Sequence, residues 1–160
     1  MALAQMNNSN SPVNPLLGTW HLRRWSIGYA DQRADSHPFG EDASGMIIYS
    51  ADGWMSACIA KAARPHMSSE SVRTAPAGER LAAFESYFQY AGRYRLEESD
   101  SGLQVVHEVT HSLNPNFPGT RQVRQVDLSE PGVLILSASD VLPGSALARH
   151  HRLIWQRACA

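Results

Sequence analysis

Between residues 103 and 128 the chain changes character at every second position. Leu103, Val105, His107, Val109 and His111 form one set, and Gln104, Val106, Glu108, Thr110 and Ser112 the other. A period of two is that of a β-strand, whose successive side chains point to opposite faces. The first set is the more apolar, yet it carries two imidazoles. The run Asn114-Pro115-Asn116-Phe117-Pro118-Gly119 predicts a loop. A second strand is predicted over 120–128, with Gln122, Arg124, Val126 and Leu128 on one side. If both faces line the inside of one barrel, this hairpin brings imidazoles, an amide and a guanidinium into an apolar interior.

The rest of the chain extends the pattern. Residues 16–25 read as a strand with bulky side chains on both sides, followed by a polar loop over 30–44. Ala51-Asp52-Gly53 separates two β-rich runs, 45–50 and 54–59, and Asp-Gly in that setting predicts a hairpin. Residues 61–78 form a Ser/Pro/Arg-rich connection. Leu81, Phe84, Phe88 and Ala91 recur at helical spacing and predict a helix over 79–91, with Tyr87 widening its apolar stripe and Gly92 ending it. Short strands are predicted over 93–97 and 133–137, and a last one over 147–156. In that last strand Leu147, Arg149, His151, Leu153 and Trp155 are placed inward on the strength of Leu153 and Trp155, although the alternate set is nearly as apolar. About eight strands joined by short turns, with one helix, predict an all-β antiparallel barrel or sandwich rather than βαβ units. Eight strands can close around room for one small ligand.

Composition narrows the partners. The chain has 160 residues and a net charge of −1, and lysine occurs only at Lys61. Without a concentrated basic surface, nucleic acid is not an expected partner. The absence of a long apolar run argues against membrane insertion. Residues 1–14 are Asn/Ser-rich without the charged-then-apolar order of a signal peptide, so a disordered tail is expected ahead of a single domain over 15–158. Cys58 and Cys159, far apart in sequence, fit a reduced, cytoplasmic protein. There is no Cys-x-x-Cys, phosphate-binding loop, dinucleotide glycine motif or nucleophile elbow. His66, His150, His151 and Glu108 lack a tight ligand spacing, so neither a metal nor another cofactor is expected. A homodimer is a candidate assembly.

Several stretches together resemble the lipocalin-like domain family of small bacterial and fungal proteins. They are Leu17-Gly18-Thr19-Trp20, Pro38-Phe39-Gly40-Glu41-Asp42, 48–56 around Asp52-Gly53-Trp54, and Ala83-Phe84 with Tyr87-Phe88. Tyr90-Ala91-Gly92-Arg93-Tyr94, the 114–120 loop with Gln122-Val123-Arg124, and Leu153-Ile154-Trp155 complete the set. The resemblance implies an eight-stranded antiparallel lipocalin-like barrel around a pocket for a small, mainly apolar molecule. It also implies a last-strand arginine packed on Trp20, for which Arg149 or Arg152 is available. It does not imply a reaction.

The residues themselves frame the chemistry. His107, His111 and His151 are candidate proton-transfer groups. Arg124 is the candidate for holding a carbonyl, enolate or carboxylate, with an ion pair to Glu41, Asp42 or Glu108 as the structural alternative. Gln122, Arg149, Tyr49, Trp54, Met55, Tyr87 and Phe88 are candidate ligand contacts, beside Tyr90 and Tyr94, and all the aromatics are equally good core. Two functions follow. One is a cofactor-free enzyme of secondary metabolism that isomerises, dehydrates or cyclises a hydrophobic oxygenated metabolite. The other is a non-catalytic carrier using the same pocket. A barrel filled by its own side chains, acting only as an interaction module, is a third. Histidines fully engaged by protein partners favour the carrier over the enzyme.

Overall fold

Side-chain alternation builds one closed sheet. The computed structural model describes residues 13–159. Its strands are β1 (Gly18–Tyr29), β2 (Ser44–Tyr49), β3 (Trp54–Ala60), β4 (Tyr87–Ser99), β5 (Gly102–Ser112), β6 (Arg121–Asp127), β7 (Val133–Val141) and β8 (Ala148–Arg157). Each pairs antiparallel with the next and β8 returns to β1, which gives the expected eight-stranded barrel. Closure leaves no strand without a partner on either side, although the β6–β7 ladder is short. The Asp52-Gly53 hairpin forms between β2 and β3, with Gly53 at φ 84°, a backbone region that glycine enters without steric cost.

The helix is a correction. The one helix among the described residues, α1 (Ala77–Glu85), is shorter than the predicted 79–91, lies outside the barrel and has no buried residue. Leu81 and Phe84 remain 57% and 47% exposed. From Tyr87 onward the chain pairs with β3 and β5 instead, and Phe88, Tyr90 and Tyr94 turn inward with a period of two. Two sheet ladders outweigh a helical spacing that has nothing to pack against.

Two bulges change which side chains face in. In β1, Arg23 is an extra residue between the pairs Leu22↔Trp155 and Arg24↔Ile154. Trp20 before it and Trp25 after it therefore both face the interior, which explains the bulky residues of both parities. In β5, Thr110 is extra, because Gly92↔Val109 is followed by Ala91↔His111. Gly92 is required there: a Cβ on it would lie 2.0 Å from the Glu108 carbonyl oxygen.

One end of the barrel is closed. Leu16 and Trp20 are buried there, and the Trp20 indole N–H donates to the Leu16 carbonyl at 2.8 Å. The arginine over Trp20 is Arg157, at 4.0 Å from the ring, not Arg149 or Arg152. Register decides this: Trp20 pairs with Arg157, whereas Arg152 and Arg149 sit opposite Ser26 and Tyr29 further along β1. Arg157 also donates to the Leu17 and Pro15 carbonyls at 2.7 and 2.8 Å. Residues 1–12 of the expected tail lie outside the described residues, while Asn14 donates to the Tyr94 hydroxyl at 2.8 Å.

The opposite end is looser. Only Gln125, Val126 and Asp127 of β6 pair with β7. Residues 121–124 of β6 thus run past 138–141 of β7 without a ladder between them. Among the described residues no helix is long and apolar enough to cross a membrane.

Candidate functional site

A cavity of about 500 Å³ occupies the looser half of the barrel. Its apolar wall comes from Trp25 of β1, Ile47 of β2, Ala57 and Ile59 of β3, Phe88 and Tyr90 of β4, and Leu136, Leu153 and Trp155 of β7 and β8. Phe117 reaches in from the loop between β5 and β6, with its ring 5.9 Å from Phe88 and 6.3 Å from Tyr90. Phe88 stands edge-on to Tyr90 at 5.5 Å and tilts against Trp25 at 6.2 Å. Arg121, Val123 and Ser139 line the same cavity although they alternate with inward residues, because it extends into the unpaired seam between β6 and β7.

Polar groups enter this wall from β6, β7 and β8. Arg124 donates to the Gln122 side-chain oxygen at 3.2 Å and to the Val123 carbonyl at 2.8 Å. It forms no ion pair among the described residues: Glu108, one proposed partner, pairs with Arg95 on the outside. Arg149 reaches both oxygens of Asp140 at 2.6 Å, and His151 Nε2 lies 3.2 Å from the same carboxylate. The hydrogen bonds from Arg149 hold the Asp140 carboxyl below the usual range. Burial pushes His151 down, opposed by Asp140.

His107 sits deeper, 1% exposed. Its Nε2 is 2.9 Å from the Tyr49 hydroxyl and its Nδ1 is 2.7 Å from the Tyr90 hydroxyl. Burial, assisted by the positive Arg124, pushes its pKa down to about 3. The ring is therefore neutral at physiological pH with both nitrogens engaged. Burial raises Tyr49 well above its ordinary value and raises Tyr90 as well.

The structure thus brings together Arg124, His151, Gln122, Phe88 and Arg149 in the cavity wall. It places other expected residues elsewhere. His111 lies outside, because the Thr110 bulge pairs it with outward-facing Ala91, and its Nδ1 is 2.9 Å from the Thr110 hydroxyl. Trp54 is 42% exposed and stacks under Arg93 on the outer surface. Tyr87 lies under the Arg64 guanidinium, away from the cavity. Tyr49 and Met55 are buried in the core and do not reach the cavity surface. Sequence reasoning missed Trp25, Phe117 and Asp140 as wall residues. Asp140 was the most accessible of these, since counting outward from a four-residue turn over 143–146 sets it opposite Arg149.

Fold and site together define a hollow up-and-down β-barrel with an aromatic wall and a polar mouth. The chain belongs to the lipocalin-like domain family, whose model matches residues 17–158. It is also similar to the 4'-hydroxy-3'-methoxypropiophenone carrier protein ppsC of Aspergillus oryzae, with 28% identity over 107 residues, 64% of this chain and 96% of that protein.

Proposed function

We propose that this protein is a non-catalytic carrier that holds a small oxygenated aromatic molecule, an aryl ketone, in its barrel. The observation that carries the reading is the cavity of about 500 Å³ walled by Trp25, Phe88, Tyr90 and Phe117, with donor groups at its polar side. That volume is in the ordinary range for small-molecule sites, and aromatic walls suit a flat aromatic guest. The deepest histidine is closed off by two tyrosines and does not present a free nitrogen. The Aspergillus relative, named as a carrier of 4'-hydroxy-3'-methoxypropiophenone, supports the same ligand class.

The test is titration with 4'-hydroxy-3'-methoxypropiophenone, followed by tryptophan fluorescence, since Trp25 and Trp155 line the cavity. Saturable binding is expected, with the ketone recovered unchanged by chromatography and proton NMR after long incubation. Absence of binding rejects the ligand class, and conversion rejects the carrier.

One observation favours a second reading. His151 stands in the cavity wall with a carboxylate on Nε2 and no partner on Nδ1 among the described residues. Beside Arg124, it has the make-up of a proton-transfer group for a cofactor-free isomerisation, dehydration or cyclisation. Conversion that disappears in His151→Gln while affinity persists would establish this reading.

A further inference from the structure

Tyr49, His107 and Tyr90 form a linear hydrogen-bonded chain from the core to the cavity. A neutral imidazole has one N–H and one lone pair. One tyrosine must therefore donate to the ring, and the other must accept from it, keeping its own hydroxyl hydrogen for a different partner. Neither hydroxyl has a second partner among the described residues. On Tyr49 the leftover hydrogen would be shut inside the core, where an unsatisfied donor is costly. On Tyr90 it belongs to a residue of the cavity wall. The favoured arrangement has Tyr49 donating to Nε2, Nδ1–H donating to Tyr90, and the Tyr90 O–H unspent.

We propose that Tyr49 and His107 hold Tyr90 as a fixed hydrogen-bond donor for an acceptor oxygen of the ligand, a ketone carbonyl in the class proposed above. The choice of ketone rests on that reading; the polarity of the relay does not. The same wall holds an excess of donors. The indole N–H groups of Trp25 and Trp155 are buried without a partner among the described residues, and the Arg124 guanidinium can only donate. A site supplied with donors is complemented by a guest supplied with acceptors. Tyr90 is then a specificity-determining binding residue, and His107 and Tyr49 are positioning residues that act through it.

Two measurements test this. Long-range nitrogen–proton NMR of the labelled, ligand-free protein reads the His107 ring directly. A neutral ring protonated at Nδ1 between about pH 5 and 8 is expected. Protonation at Nε2, or an imidazolium, overturns the relay. Tyr49→Phe, which alters a residue outside the cavity wall, is expected to shift the ring proton toward a mixture; an unchanged ring counts against the relay.

Calorimetry then compares 4'-hydroxy-3'-methoxypropiophenone with 2-methoxy-4-propylphenol, in which a methylene replaces the carbonyl. The unaltered protein is expected to prefer the ketone roughly tenfold, and Tyr90→Phe to bind both alike. Retained affinity of Tyr90→Phe for the propylphenol shows that the cavity has survived. A Tyr90→Phe protein that keeps the ketone preference overturns the proposal, as does an unaltered protein that shows none. If neither probe binds, the ligand class of the preceding section fails, and the position of the ring proton still decides the relay.

Discussion

Asp140 and Arg149 face each other across the β7–β8 ladder, and the guanidinium grips both carboxylate oxygens at 2.6 Å. The pair stands at the cavity mouth, with His151 on the same carboxylate. Asp140 is the group that opposes the downward push of burial on His151. Asp140→Asn is therefore expected to lower the His151 pKa further, which a proton NMR titration of the imidazole reads. An upward shift would contradict the contact.

His107 makes stability depend on acid. Its pKa is about 3 in the folded protein and near 6.5 when unfolded. Above pH 6.5 neither state binds the proton, and its contribution is constant. Below that, the unfolded state takes up a proton that the folded state refuses, so stability falls as pH drops from 6.5 toward 3. The slope is about 1.4 kcal/mol per pH unit for one such group. Urea unfolding between pH 7 and 5 is expected to show this slope reduced in His107→Gln. At pH 7, His107→Ala is expected to cost about 2–4 kcal/mol, since it strands two buried tyrosine hydroxyls and opens a cavity.

Among the described residues Arg124 has no carboxylate to leave behind. Arg124→Met is therefore expected to leave stability within about 1 kcal/mol, while affinity for the ketone and for 2-methoxy-4-propylphenol falls alike, roughly tenfold, by calorimetry. Substantial destabilisation with unaltered affinity would assign Arg124 a structural role instead.

At the closed end, Arg157→Ala removes the cation above Trp20 and two donors to the backbone at Pro15 and Leu17. A loss of about 2 kcal/mol in chemical unfolding is expected. Arg157→Lys should recover less than half of it, because an ammonium cannot stack and fork at once.

His111→Ala is the contrasting case. The side chain lies outside the barrel, so the change is expected to stay within about 0.5 kcal/mol and leave ligand affinity untouched. A clear loss of binding would place His111 back in the cavity's service.

The architecture was legible because alternation, turn residues and the Asp52-Gly53 hairpin are local signals. The faces of two strands were not, because a single extra residue inverts every position beyond it. Arg23 let both Trp20 and Trp25 face inward, and Thr110 sent His111 outward after His107 had pointed in. The β1 bulge shows in the sequence only as bulky residues of both parities, and the β5 bulge leaves no mark in hydropathy. The helix was overextended for a related reason. Phe84 and Phe88 satisfy a helical spacing, but Phe88 and Tyr90 equally satisfy a strand, and only the partners β3 and β5 decide between them. Asp140 carried no signal of its own, and its meaning came from the register that set it opposite Arg149.

On the carrier reading proposed above, the short ladder between β6 and β7 gives a guest a way in that does not require an end of the molecule to unfasten. One stave of the cask stands slightly proud, and Arg124 is posted on it. On that reading, loading and unloading pass through the side wall, away from the base that Arg157 closes over Trp20.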